Sequence, residues 1–536
     1  PKASCVLSQQ GRELASRQLD LSPKGPQTVV LSPCPQGPVD VVVRTRRDAV
    51  LAQFTTPLPI PKTSPPVRAA WADKPEAELT VEEKHLRAQK LDLAMNRKKA
   101  REGYEAVLAV DPGYGPSLRA LAILDTEAAR HDDAIARLRK TVERDPGDGL
   151  AWYFLGVNHL RTRAPKEALG CARQASLCLE VRALAFDLAG RAHAALGQRQ
   201  EAVEAFRKAV SLNPNDAVAR DHLLVALYAA GETEAAFKQA QEAVQRCPTD
   251  LVPRAVLALL GPRQMNAFAA QARAFVGEDE FQMLETSLPF AELGLVREAA
   301  KLVSAVCVDA VPQEERGPLP MYYLAWFAKG TPEAGTWLQR AAKTRRDCVF
   351  PSRPVELDVL EHAIATNPQD AQARLLLGNL YAHLGRTAEA AAHWRKAVQQ
   401  DSSLSVAWRN LGLYAWAEEN DLPKAGESYR KAIDARPKDQ TLYRDLAEIL
   451  LSQGQRTEAI KLLESTPPDK LRRADVIILL AQTYLDEEFY DKTIDLLEST
   501  PYFVNWEGQT ITWDLYHKAH MARGRIRFDG KDFAGA

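Results

Sequence analysis

Histidines, cysteines and carboxylate-rich runs are the groups in this 536-residue chain that could do chemistry. The ten histidines are His85, His131, His159, His193, His222, His362, His383, His393, His517 and His520. None stands in a metal-ligand spacing such as H-E-x-x-H. His517 and His520 are three apart, so one helix face would carry both, but no further ligand type lies near them in sequence. The seven cysteines, Cys5, Cys34, Cys171, Cys178, Cys247, Cys307 and Cys348, are scattered and form no C-x-x-C pair. A zinc site is therefore not expected, and reduced thiols in a cytoplasmic setting are the simplest reading. Cys171 and Cys178, seven apart, suit the packing face of a helix. Glu278-Asp279-Glu280 and Asp486-Glu487-Glu488 read as solvated helix starts rather than acid/base pairs. No nucleophile elbow, phosphate loop or dinucleotide fingerprint is present. The expectation is no catalytic residue, no metal, no cofactor and no enzymatic activity.

The elements that must position the remaining polar groups are repeated helical hairpins. The clearest copy spans residues 183–214. Apolar or small residues recur at Phe186, Ala189, Gly190, His193 and Ala194, then at Ala202, Val203, Phe206, Ala209 and Val210. Spacing of i, i+3, i+4, i+7 in two blocks predicts two amphipathic helices. Gly197 separates them, and Asn213-Pro214 ends the second, because the residue before a proline avoids the α region. Gly190 and Ala202 fall where the helices should cross, and Phe206 should fill the gap beside them. Prolines stand at Pro112, Pro146, Pro214 and Pro248, at intervals of 34, 68 and 34, with Glu180 where one is missing. Pro368 is followed by Ser402 and Pro437 at steps of 34 and 35. An ordinary helical bundle has no reason to repeat at a fixed period.

Within the copies, similar residues recur: Trp152, Leu155, Gly156, Ala168 and Ala175; then Leu377, Gly378, Tyr381, Ala390, Trp394 and Ala397; then Trp408, Leu411, Gly412, Tyr414, Ala425, Tyr429 and Ala432. This pattern resembles the tetratricopeptide repeat, a helix–turn–helix unit of 34 residues. The resemblance covers most of residues 80–536. It implies a mainly α fold, a right-handed α-solenoid whose stacked hairpins leave a concave groove lined by the first helix of each unit. The second, fifth, sixth and ninth positions of that helix face the groove. They hold Arg119, Tyr153, Asp187 and Arg191, Asp221 and His222, Asn379, Arg409 and Asn410, and then Arg444, Asp445 and Glu448. Asn379 and Asn410, 31 apart, resemble the asparagine pair with which some peptide-binding repeats hold a ligand backbone. An amide donates and accepts at once, which suits an extended peptide. Leu375 stands where such repeats carry a lysine, so a strict carboxylate clamp is not expected. The alternative reading of every groove position is a solvated polar residue that contacts no ligand.

Residues 1–56 have a different character. Val39-Asp40-Val41-Val42-Val43-Arg44-Thr45 and Ala49-Val50-Leu51-Ala52-Gln53-Phe54-Thr55 are β-rich, with weaker strand signals at 13–21 and 28–31 and Pro/Gly punctuation between them. This predicts a small antiparallel β-sandwich piece, the end of a larger domain. Residues 57–79 form a Pro-rich linker, stiff because proline fixes its own φ. Thr80 with Glu83 reads as a capping box that opens the helical region. A first array then spans 80–260, degenerate helical hairpins 261–354, a second array 355–470, and irregular hairpins 471–536. The chain opens on Pro1 and stops inside a hairpin, so a fragment of a longer protein is expected. The order of β domain, Pro-rich linker and repeats, with the Phe503-Val504-Asn505-Trp506-Glu507-Gly508 stretch, resembles large bacterial proteins in which a mutarotase-like β-sandwich domain of unknown function precedes the repeats.

The balance of 69 basic and 70 acidic residues, net −1, argues against a nucleic-acid partner. No apolar run approaches the ~18 residues of a membrane span. The expected function is a non-catalytic scaffold holding a protein or peptide in its groove, with self-association through an open repeat end as a further expectation. The alternative is a carbohydrate-handling protein whose sugar-binding or enzymatic domain lies upstream.

Overall fold

The computed structural model describes residues 2–20, 28–32, 35–56, 71–261, 264–277, 279–344, 349–467, 473–500, 510–532 and 535. The Pro-rich run 57–66, the stretch 503–508, Cys34, Cys348 and Glu278 lie outside the described residues. The chain divides into two compact units, Pro1–Glu78 and Leu79–Ala536.

The first unit is a four-stranded antiparallel sheet of β1 (Lys2–Gln9), β2 (Arg12–Asp20), β3 (Val39–Thr45) and β4 (Val50–Thr56), in the order β2-β1-β3-β4. Strand β1, which no sequence signal singled out, is central and buries alternate residues Ala3, Cys5 and Leu7, as a strand period of two demands. Gln10 and Gly11, both at positive φ, turn β1 into β2, the geometry that matches strand twist in a two-residue hairpin. Among the described residues this is one sheet, a single layer of the sandwich expected. Residues 28–31 form no strand: three apolar residues with no alternation give neither face a reason to be buried.

Among the described residues the second unit holds 26 helices. Six hairpins open it: α1 (Val81–Leu93) with α2 (Arg97–Val110), α3 (Gly115–Glu127) with α4 (His131–Arg144), α5 (Gly149–Arg161) with α6 (Pro165–Ala175), α7 (Arg182–Ala195) with α8 (Arg199–Leu212), α9 (Ala217–Ala229) with α10 (Thr233–Arg246), and α11 (Leu251–Leu260) with α12 (Met265–Val276). Less regular hairpins follow: α13 (Glu280–Glu292) with α14 (Val296–Ser304), and α15 (Pro318–Phe327) with α16 (Pro332–Lys343). A lone α17 (Val355–Thr366) leads to α18 (Ala371–His383) with α19 (Thr387–Gln400), α20 (Ser405–Ala417) with α21 (Leu422–Ala435), and α22 (Gln440–Ser452) with α23 (Arg456–Glu464). The last are α24 (Ala474–Asp486) with α25 (Tyr490–Glu498), and α26 (Ile511–Asp529).

Local chemistry explains the regularity. Thr80 caps α1 as expected: Glu83 N–H donates to Thr80 Oγ1 at 3.2 Å and Thr80 N–H to Glu83 Oε2 at 3.0 Å. Asp148, Asp216 and Asp370 cap α5, α9 and α18 through their side chains alone, each satisfying a donor that the first turn leaves orphaned. At the crossing of α7 and α8, a Cβ on Gly190 would lie 2.5 Å from the Phe206 ring, which is fully buried. Gly378 stands in the same relation to Trp394, and Gly412 to Tyr429. A small residue opposite a large one is thus the hairpin's packing rule. Burial of each ring contributes about 2–3 kcal/mol.

Candidate functional site

Six groove candidates lie in the first array. Arg119 on α3 pairs with Asp148, the carboxylate that also caps α5. Tyr153 on α5 meets Phe154 edge-on and packs against Val181 and Ala185, and burial raises its pKa. His222 on α9 and Asp187 on α7 are both buried, with Nδ1 and Oδ1 2.7 Å apart. Arg191, one turn beyond Asp187, reaches Glu292 at the end of α13, Nε to Oε2 3.4 Å. Arg161 and His222 stand 3.7 and 3.9 Å from the same carboxylate. Burial would raise the pKa of Glu292. Arg191 first, then Arg161 and His222, outweigh it and hold the group below the usual glutamate value.

Helix α13 touches α7, α9 and α11, the first helices of three successive hairpins. One rod can touch all three only on the side toward which the stack bends. The inner face of this array is therefore met by the chain's own helix. A cavity of about 490 Å³ remains beside it, lined among others by Arg161, Asp221, His222, Asp250 and Glu292. In it the carboxyl of Asp221 is pushed up to about 7, by burial first and by the Asp250 charge second.

The remaining candidates lie in the second array. Asn379 on α18 and Asn410 on α20 are in direct contact: Nδ2 of Asn410 donates to Oδ1 of Asn379 at 3.0 Å. The same oxygen accepts from the indole N–H of Trp394, also at 3.0 Å. Among the described residues the N–H groups of Asn379 have no protein acceptor. Arg409 leans on Asn410 at 3.5 Å and on Asp445 at 3.9 Å. Arg444 is neutralised between Asp445 and Asp475, the latter at 2.9 Å. Leu375 is buried, so no cation stands near the amide pair from that position.

Family models of the tetratricopeptide repeat match residues 119–175 and 357–405, 183–216, and 417–483. These segments of the helical unit are tetratricopeptide repeats. Repeats of this kind stack into extended concave surfaces, and their presence here supports a protein-interaction scaffold. No curated protein matches the chain. Solved structures that are similar include MamA, at 24% identity over 31% of this chain and 90% of that one, TM-score 0.29. Another is the Cut9–Hcn1 hetero-tetramer of APC/C, at 13% identity over 83% and 97%, TM-score 0.27. A third is Naa15/Naa10 bound to HypK-THB, at 14% identity over 77% and 73%, TM-score 0.24.

Sequence reasoning about the tetratricopeptide groove missed Glu292. A signal was present: an acid in the last turn of a helix opposes the macrodipole, so its place there asks for a cation from elsewhere. His517 and His520 lie on α26 and line one depression, where His520 stacks edge-on with Tyr516 and contacts Arg523 at 3.1 Å. Among the described residues no cluster of three metal-ligating side chains forms, and no helix is long and apolar enough to cross a membrane.

Proposed function

We propose that this chain is a non-catalytic scaffold in a reducing, cytoplasmic setting that holds an extended peptide from a partner along the inner face of its second array. The observation that carries the reading is the Asn379–Asn410 contact. Two amides on successive first helices are fixed against each other, and Trp394 locks the orientation of one of them. The N–H groups of Asn379, which have no acceptor among the described residues, suit a peptide carbonyl. Fixed donors cost a ligand less ordering than mobile ones. In the first array the comparable positions are engaged by Glu292 of α13, which favours the second array as the receiving face. The test is a pull-down with the full chain, identified by mass spectrometry, beside an Asn410→Ala variant. A partner held by the parent and lost from the variant supports the reading. A partner indifferent to Asn410 overturns it.

A further inference from the structure

The repeat period breaks between α12 and α17, and the break leaves a second surface. Helix α14 runs into a π-type turn at Ala305–Asp309, a distortion that is rare and commonly marks function. Between α12, this turn and the α15–α16 hairpin lies a groove of about 1090 Å³. Its floor is apolar and made of short side chains, Ala269, Ala300 and Ala305, with Phe327 and Trp337 as walls. The Trp337 ring is held by the guanidinium of Arg340, 4.4 Å from its centre. Arg273 from α12 and Arg297 and Lys301 from α14 also line it. Arg297 and Lys301 are one helical turn apart, so their like charges work against the helix that carries them. Among the described residues none of these three cations has an acid within ion-pair distance. The two carboxylates on the lining are otherwise accommodated. Asp309 accepts from Ser304 Oγ at 3.1 Å, and Glu333 sits in the first turn of α16, where the helix dipole favours it.

We propose that this groove docks an acidic amphipathic segment of a partner protein. Its apolar side chains lie on the alanine floor between Phe327 and Trp337, and its glutamates or aspartates answer Arg273, Arg297 and Lys301. A free anion would leave the apolar floor unused, and a neutral apolar ligand would leave the cations unanswered. The site is separate from the Asn379–Asn410 contact and does not depend on it.

The probe is a fluorescein-labelled 16-residue peptide with leucines and phenylalanines on one helical face and glutamates on the other. Its anisotropy is measured with the full chain and compared with a lysine-for-glutamate version. The glutamate peptide should bind at least about tenfold more tightly, and more weakly as salt rises. Arg297→Glu with Lys301→Glu should weaken it at least about tenfold. Ala300→Trp, which fills the floor, should do so with the charges intact. Asn410→Ala should leave it unchanged, which separates this proposal from the peptide groove of the second array. Circular dichroism confirms that each variant folds, and if Ala300→Trp does not, Ala269→Met replaces it. Overturning results are equal binding of the lysine peptide, binding indifferent to the variants, or no binding at about 500 μM. The proposal also fails if anionic phosphatidylglycerol vesicles or inorganic phosphate bind there and the peptide does not compete. A dimer of the chain dissolved by the charge reversal would likewise replace the foreign segment by a second copy.

Discussion

The carboxylate of Glu292 lies 3.4 Å from Nε of Arg191, and this contact ties α13 across the inner face of the first array. The two side chains are 27% and 17% exposed, so solvent screens the pair only in part. Glu292→Gln should cost about 1–3 kcal/mol, because it leaves Arg191 without its charge partner. Hydrogen exchange should quicken in α13 and on α7 and α9, and stay unchanged in the second array. The folded pKa of Glu292 is depressed, so its stabilisation is present above the unfolded value and is lost as pH falls through the folded one. The exchange difference between parent and variant should therefore vanish under acid.

Asp221 has the opposite sign. Its carboxyl titrates near 7 in the folded chain, against about 3.9 in an unfolded one. Stability linked to it is fully present below the unfolded value and declines as pH rises to about 7. Asp221→Asn should therefore give no gain at pH 4 and a growing gain up to pH 7, then a plateau on the order of 2–4 kcal/mol. Urea unfolding at pH 4, 6 and 8 would show it, and a gain that is flat with pH would be the contrary result.

Backbone geometry gives a pair of contrasting substitutions. Gly190→Leu should cost more than about 3 kcal/mol, since a Cβ alone would already lie 2.5 Å from the Phe206 ring. Ala129 occupies the turn between α3 and α4 at φ 53, where Gly197 serves the α7–α8 turn at φ 76. Ala129→Gly should stabilise by about 1 kcal/mol by relieving the left-handed conformation. Thermal melts of the two single variants, one lowered and one raised, check both.

The amide pair behaves asymmetrically. Asn410→Ala removes one donor at a half-buried site and should change stability by less than about 1 kcal/mol. Asn379→Ala orphans the indole N–H of Trp394, a ring only 6% exposed, and should cost about 1–3 kcal/mol. Trp394→Ala should cost about 3–5 kcal/mol through the cavity it opens. Chemical denaturation of the three variants should rank them in that order.

The hairpins were legible in sequence because their signals are local. Gly190 with Phe206 and Gly378 with Trp394 fall at fixed spacings inside one repeat, and Thr80 with Glu83 within one turn. The engagement of α13 was not legible, because Arg161, Arg191 and Glu292 belong to hairpins whose relative direction no short pattern encodes. The part Asn379 plays in bracing Trp394 escaped for a related reason. The two sit on different helices, and the spacing between them depends on how closely Gly378 lets those helices cross. Strand β1 was missed because its buried set, Ala3, Cys5 and Leu7, alternates with serine and valine and carries little hydrophobic contrast.

A stack of repeats that touch only their neighbours can melt from either end, one unit at a time. The bond from Glu292 back to Arg161 spans the α7–α8, α9–α10 and α11–α12 hairpins and makes them a closed loop. Such a loop must shut before its contacts reward it, so its formation is slowed by chain entropy. Once shut, its members share one fate. Pulled from its ends, the chain should yield its second array in small successive steps and surrender the looped hairpins together in one large one.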